Sequence, residues 1–252
     1  KKKETEVAVK ESTDVVAKEW EDKLAKYASD ESKQEVPTAS YISLKSGILT
    51  YAGTPIPDNK LQVIIIDSIF ENTYYPGAYD PNKLESPECF AMNHQLDDLV
   101  PHAKSVDKQH QNCEECPNLV WGSKPNSRGK ACQERRRLIV IPATVESADD
   151  VLTAEVAVLK VPVTSVKNWA SYVKTLDAMY KRPTFAMITE LSTTPDPKTQ
   201  FKLDFKAIES INMEFLDAVI KKRELSQDIL LKPYDKIDDN KEEPKEGTKY
   251  GD

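Results

Sequence analysis

Four cysteines, the whole complement of this 252-residue chain, fall between positions 89 and 132, and this clustering constrains the fold more than any other feature. Cys113 and Cys116 form a CxxC pair, a spacing that lets two thiolates reach one ion from a single tight turn. Cys89 and Cys132 can complete a tetrahedral all-thiolate shell from outside that turn. We therefore predict a metal site with these four ligands, holding structural zinc or, less commonly, an iron–sulfur cluster.

Two disulfides, or free thiols in a core, are the alternatives for the same cysteines. No charged and then apolar leader is visible, so we expect a reducing compartment, which disfavours disulfides. No strand leads into the CxxC and no helix obviously follows it, which disfavours a redox motif. A histidine could replace one cysteine as ligand: His94 is the nearest rival to Cys89, His110 is the nearest to Cys113, and His102 lies between them.

The sequence does not favour an enzyme. Asp97 and Asp98 could suggest a hydrolytic metal site, but adjacent carboxylates point in different directions on most backbones. Four ligands that close on one ion leave no open position for water or substrate. Neither a P-loop nor a GxGxxG motif is present, and no Ser–His–acid signature is visible. A metal-dependent nuclease is therefore the least favoured functional hypothesis.

The charge is distributed unevenly. The chain carries a net charge of −7, which argues against attraction of the whole surface to nucleic acid or to an anionic membrane. Residues 104–137 nevertheless hold eight Lys or Arg against four acids, whereas residues 1–37 and 233–252 are net acidic. Since the local field matters for binding, the basic stretch within the cysteine region is the candidate site for an anionic partner.

Cations and aromatic side chains are interleaved in and around this basic stretch. Phosphates require cations, and unpaired bases require flat apolar partners. We predict phosphate contacts from five basic residues, Lys124, Arg128, Lys130, Arg135 and Arg137, and base stacking by Tyr74, Tyr75 or Trp121. Local packing is the alternative for each aromatic residue. Side chains alternate along a strand, so at most two of the arginines at 135–137 can face one ligand.

The pattern along the chain predicts three segments. Residues 1–37 are expected to form a charged helical arm, which either frays or binds a partner through Trp20. Residues 38–232 form the folded domain, with the cysteine region inserted at about 81–136. Residues 233–252 have the composition of an acidic disordered tail. Within the domain we predict a hairpin at 41–51, strands at 61–70, 137–142 and 153–160, a helix at 164–181, strands at 184–191 and 200–205, and a final amphipathic helix.

The cysteine region also carries a specific set of short motifs. These are Pro87-Glu-Cys89, Cys113-Glu-Glu-Cys116-Pro-Asn, Trp121-Gly-Ser, Gly129-Lys-Ala-Cys132 and Arg136-Arg137-Leu. The set resembles a group of tailed-bacteriophage proteins that are regarded as zinc-containing single-stranded-DNA-binding proteins with an OB fold. The resemblance covers residues 87–142.

The resemblance implies a mainly β (α+β) chain: an OB-fold five-stranded barrel with a four-cysteine metal-binding insertion and flanking helices. The order of the predicted elements agrees with such a barrel. The expected function is non-enzymatic single-stranded-DNA binding in phage replication or recombination, in the cytoplasm of the infected host cell and away from membranes. The acidic tail would compete for the groove and recruit replication or recombination proteins. The alternative is a zinc-stabilised interaction or scaffold protein without direct DNA binding.

Overall fold

The computed structural model describes residues 40–77 and 85–235, together with residues 20, 23, 24 and 27. The chain divides into two units, residues 1–38 and 39–252. The four described residues of the first unit are helical, and Lys23 Nζ lies 5.0 Å from the centre of the Trp20 ring. The rest of the predicted arm, and residues 236–252 of the predicted tail, lie outside the described residues. In the described part, every helix is too short or too polar to cross a membrane.

The described part of the second unit is built on one sheet of nine strands. They are β1 (Ser40–Lys45), β2 (Ile48–Tyr51), β3 (Thr54–Pro55), β4 (Lys60–Tyr74), β5 (Cys89–Asn93), β6 (Cys132–Pro142), β7 (Ala157–Val161), β8 (Met187–Asp196) and β9 (Gln200–Ser210). The strand order is β3-β2-β1-β7-β6-β4-β8-β9, and β5 also pairs with β4. β1 runs parallel to β7, and the other described pairs are antiparallel.

Four α-helices flank the described sheet: α1 (Ala148–Thr153), α2 (Val166–Thr175), α3 (Leu216–Leu225) and α4 (Gln227–Leu230). A π-helical turn, Leu176–Tyr180, extends α2, as expected for the predicted helix at 164–181. The sequence analysis missed α1, because its six residues are too few to show a helical periodicity. Ser147 begins this helix by accepting a hydrogen bond from the Asp150 amide at 3.1 Å, which is an N-cap.

The apolar run in β4 is buried on both faces, as predicted. Val63 and Ile65 pack on one face of the sheet, in the core that also holds Trp169 of α2. Ile64 and Ile66 pack on the other face, in the core that also holds Val219 of α3. Side chains of a strand alternate between faces, so an unbroken apolar run requires a layer on each side. β4 therefore forms the centre of the domain.

The prediction of a mainly β, α+β chain is confirmed, but the described sheet does not close into a barrel through backbone pairing. Side chains instead connect the turn between β1 and β2 with β8, although these strands are not neighbours in the sheet. The Gly47 carbonyl, in the turn between β1 and β2, accepts hydrogen bonds from Asn59 Nδ2 and Thr193 Oγ1, both at 2.6 Å. Gly47 has a φ of +79°, a conformation that favours glycine.

The cysteine region contains more regular structure than the sequence predicts. β4 continues to Tyr74, beyond the predicted end at 70, and β6 begins at Cys132 rather than at 137. β5 adds a further strand on the other side of β4. The sheet therefore extends past the two main cores, and the loops that connect these strands pack on the extension around Ala91, Leu99 and Cys113.

Candidate nucleic-acid groove and cysteine cluster

Strand pairing brings two of the four cysteines onto one face of the sheet. Cys89 begins β5 and Cys132 begins β6, and both pair with Tyr74 of β4 from opposite sides. Directly paired residues point to the same face, so both thiols approach the same side of the sheet. Cys113 and Cys116 lie on a turn in which the Cys116 amide donates to the Cys113 carbonyl at 3.2 Å. The turn is tied to the loop after β5, because the Cys113 amide donates to the Leu99 carbonyl at 3.0 Å.

The cysteine cluster (Cys89, Cys113, Cys116 and Cys132) consists of four buried, free thiols that line one cavity of about 10 Å³. Burial raises the pKa of Cys113 to about 11, and the Cys89 and Cys116 thiols beside it add to this effect. Burial raises the pKa of Cys132 further, and the other three thiols contribute to the increase. Without a cation, all these effects favour the neutral thiol over the thiolate.

The described residues contain no group of three or more Cys, His, Asp or Glu side chains placed to hold a metal ion. The four thiols share a cavity but do not form a coordination shell. The donor set itself suits a soft tetrahedral ion, because four cysteines from two strand ends and one turn line the same small cavity. The predicted ligands are thus brought together, and the metal remains a prediction.

The three histidines differ in their relation to the cysteine cluster. His94 Nε2 lies 3.0 Å from Asp67 Oδ2, and His102 stacks on Phe90 with 4.9 Å between ring centres. His110 does line the cysteine cavity, and its Nδ1 lies 3.1 Å from the Asn112 carbonyl oxygen. His110 is therefore the histidine best placed to replace a cysteine ligand. Asp97 and Asp98 are both exposed and do not line the cavity.

A groove of about 870 Å³ runs beside the cysteine cluster. Its walls come from β1, the first half of β6, the loop at 121–130 and the connection from β7 to α2. Six basic side chains line it, against the single acid Glu134: Lys124, Lys130, Arg135, Arg136, Lys160 and Lys167. Glu134 is itself ion-paired with Lys130. We call this the basic groove, and its positive charge contrasts with the acidity of the whole chain.

The floor of the basic groove contains a strand edge that no other described strand covers. β4 pairs with β6 along Cys132–Pro142, but β7 pairs with it only from Arg136 onward. The outer edge of residues 132–135 therefore faces the groove without a partner strand in the described part of the chain. Such an edge presents backbone donors and acceptors to a ligand.

Trp121 stands in the basic groove on an ordered loop. The Gly122 amide donates to the Gly129 carbonyl at 3.0 Å, and the Ala131 amide donates to Ser123 Oγ at 2.9 Å, so the loop is closed on itself. Trp121 is nevertheless 75% exposed and does not line the cysteine cavity. Lys130 Nζ lies 5.6 Å from the centre of its ring, within cation–π range. Trp121 therefore does not pack over the cysteine cluster.

Arg137 does not lie in the groove, which corrects its predicted phosphate contact. It is 3% exposed, and its Nε donates to Glu71 Oε1 at 2.9 Å. Its Nη1 donates to the carbonyls of Leu230 at 3.1 Å and Lys232 at 2.6 Å. The Tyr234 hydroxyl also donates to Glu71 Oε1, at 3.0 Å. Arg137 thus holds the segment after α4 against the sheet, and Tyr234, which the sequence analysis assigned to the tail, packs on the domain.

Tyr74 and Tyr75 are also not groove residues. Tyr74 lines the cysteine cavity. Tyr75 lies half-buried near Arg135 and Glu71, and burial raises its pKa. Tyr74, the last residue of β4, packs in the cysteine cavity, and Tyr75 is half-buried beside it in sequence. The predicted stacking of these two rings on bases is therefore not supported by their positions.

Of the other predicted contacts, Lys124, Lys130 and Arg135 line the groove, while Arg128 is exposed outside its lining. The sequence analysis missed Tyr41, Arg136, Lys160 and Lys167 as lining residues. Arg136 could have been found, because it belongs to the run of three arginines. The others are distant in sequence, and no local pattern connects them to the cysteine region.

Comparison of the chain with protein-family models, curated proteins and solved structures gives no match. The resemblance to phage proteins therefore remains an inference from the short motifs.

Proposed function

We propose that the protein binds single-stranded DNA in the basic groove and has no catalytic role. The observation that carries this proposal is the combination of six groove cations with the 75% exposed Trp121. Cations along a groove can follow a phosphate backbone, and an exposed indole can stack on a base of any identity. The resemblance of the cysteine motifs assigns this activity to phage DNA replication or recombination.

The strand order supports an OB-like domain, although the described sheet is open. In this proposal β4, β6, β7, β8 and β9 correspond to the five OB strands, with α2 between the third and fourth. Nucleic acids bind OB folds on strands 2 and 3 and on the loops after strands 1 and 4. Strands 2 and 3 and the first of these loops correspond to β6, β7 and the cysteine region, which contribute to the basic groove, whereas the turn between β8 and β9 does not line it.

A single strand suits this groove better than a duplex. The bases of a duplex are stacked on each other, so they are unavailable to Trp121. No pattern in the chain suggests readout of base edges. We therefore expect weak sequence preference and poor binding to duplex DNA.

The proposed role of the cysteine cluster is to hold zinc as a structural ion. A bound zinc would fix the turn at Cys113 and Cys116 to the ends of β5 and β6. The loop that carries Trp121 and Lys124 begins directly after this turn. The metal would therefore stiffen one wall of the groove without taking part in any reaction. An iron–sulfur cluster is the less favoured occupant.

The groove residues can be tested by the salt dependence of oligo-dT binding. Lys124→Ala should remove one phosphate contact and reduce the slope of log K against log salt by about 0.7. Trp121→Ala should cost about 1–3 kcal/mol of binding energy, with the slope nearly unchanged. Anisotropy titrations at several salt concentrations, with oligo-dT and with duplex, measure both quantities.

Matched controls come from exposed positions outside the groove lining. Lys221→Ala removes the same charge from α3, and Tyr180→Ala removes an exposed aromatic residue, and neither position lines the groove. Both controls should bind like the wild type. If the wild type does not bind oligo-dT, or binds duplex equally tightly, the proposal fails and the scaffold function becomes the better explanation.

Truncation of the acidic tail should tighten DNA binding. The cut belongs after Asp235, because Tyr234 contacts Glu71 and Lys160 within the domain. The removed residues 236–252 contain six acids and four lysines. If this segment competes with DNA for the basic groove, affinity should rise at low salt and be little changed at high salt, where the charges are screened. If the truncated and full-length chains bind DNA equally well at low salt, the tail does not compete for the groove, and recruitment of partners remains its only proposed role.

A further inference from the structure

We propose that Tyr41 of β1 is a second stacking residue in the basic groove, contributed by a part of the chain remote in sequence from the cysteine loop. This inference rests on the proposed single-stranded-DNA binding and adds a binding residue from a separate part of the chain. Tyr41 lines the same groove as Trp121 but belongs to an N-terminal hairpin, 80 residues earlier in the sequence.

The exposure of Tyr41 follows from the alternation of β1. Ile42 is 4% exposed and belongs to the main core, whereas Tyr41, on the opposite face of the strand, is 47% exposed. A large aromatic residue at an outward position of a strand, lining a groove, can be retained for a ligand rather than for packing.

The backbone of Tyr41 is fixed on both sides. It pairs in register with Val158 of β7, and its carbonyl accepts a hydrogen bond from the Ala52 amide at 3.0 Å. The strand is therefore held within the sheet, and the backbone position from which the Tyr41 ring projects is fixed. A stacking partner gains most when little backbone ordering is needed at binding.

Two cations from β7 and α2 line the groove together with Tyr41. Lys167, in the first turn of α2, is exposed and forms no salt bridge within the described residues. Lys160, at the end of β7, donates to the Tyr234 hydroxyl at 3.0 Å while also lining the groove. The groove thus contains two aromatic residues, Trp121 and Tyr41, together with cations from the cysteine loop, β7 and α2. A single strand lying in the groove would meet both rings and these cations.

The test compares Tyr41→Ala and Tyr41→Phe with wild type in oligo-dT titrations. Loss of one stacking ring should weaken binding by about 5- to 150-fold in Tyr41→Ala, with an unchanged salt slope. Tyr41→Phe retains the ring and should bind like the wild type. Tyr180→Ala, an exposed tyrosine outside the groove lining, is the matched control and should have no effect.

Photocrosslinking of the wild-type protein to oligonucleotides containing 5-iododeoxyuridine gives an independent measurement, which does not depend on the folding of a variant. Peptide mapping should place adducts at both Tyr41 and Trp121. If Trp121→Ala weakens binding while Tyr41→Ala does not and Tyr41 forms no adduct, this inference is wrong and the proposed function stands. If the wild type binds no oligo-dT, the proposed function itself fails.

Discussion

Replacing Arg137 with alanine is expected to destabilise the folded domain by about 3–5 kcal/mol, the usual cost of removing one partner from a buried ion pair. Glu71 is fully buried, and its Oε1 accepts hydrogen bonds from the Arg137 guanidinium and the Tyr234 hydroxyl. Its Oε2 has no hydrogen-bond partner in the described residues. Without Arg137, this carboxylate would lose its counter-charge, and the carbonyls of Leu230 and Lys232 would lose a donor. Urea denaturation followed by circular dichroism measures the change.

Arg135→Ala is the matched control, because it removes the same residue type two positions earlier on the same face of β6. Arg135 lines the groove and is only partly buried, so its loss should reduce the salt slope of DNA binding and leave stability nearly unchanged. A double change of Glu71→Leu and Arg137→Met replaces the pair by apolar side chains and should recover much of the lost stability. If Arg137→Ala keeps wild-type stability but weakens DNA binding, Arg137 is a phosphate contact after all.

The three consecutive arginines at 135–137 show what the alternation of side chains along a strand could and could not predict. Alternation correctly separates Arg136 from Arg135 and Arg137, since neighbouring residues of β6 face opposite sides. It does not say which residue of the run is buried, because Arg135 and Arg137 share a face and only Arg137 is covered. The burial of Arg137 depends on Glu71, 66 residues earlier, and on the segment after α4. The sequence signal of a charged run is the same for a groove cation and for a buried anchor.

The groove itself depends on contacts that are distant in sequence. The apolar run of β4 was predictable, because burial on both faces leaves a local pattern. The parallel pairing of β1 with β7, which brings Tyr41 into the lining of the same groove as the cysteine loop, leaves no local pattern. The extension of β4 and β6 beyond the core also leaves no local sequence pattern. This extension turns Tyr74 towards the cysteines instead of the solvent.

The clustering of the cysteines was better specified by the sequence, because ligand spacing is itself a local signal. The CxxC forms the predicted tight turn, and Cys132 follows it within one loop. The strand that begins at Cys89 was not predicted, since a five-residue strand in a polar region has too few alternating positions to stand out. Its pairing with β4 is nevertheless what brings Cys89 to the same residue as Cys132.

Cys116→Ser is expected to abolish stoichiometric zinc binding and to loosen residues 89–132. Apparent zinc-binding energies of structural sites are about 10–16 kcal/mol in small zinc-dependent peptides, so the loss of one of four ligands should remove most of the ordering that the ion supplies. The two main cores hold no residue of the cysteine cluster, and the sheet should therefore stay folded. Metal analysis of purified protein measures the zinc content, and limited proteolysis measures the loosening.

His110→Ala is the control that separates a four-cysteine site from a site with a histidine ligand. His110 lines the cysteine cavity, so it is the competing ligand, and its replacement should leave one zinc per chain if all four cysteines coordinate. Iron with visible absorption in place of zinc would identify a cluster instead. One equivalent of zinc retained in a Cys113/Cys116 double serine variant would contradict the site altogether. The Cys116→Ser variant should also bind oligo-dT more weakly than the wild type. Without the metal, Trp121 and Lys124 would lose their fixed positions beside the groove, and ordering them on binding would cost free energy.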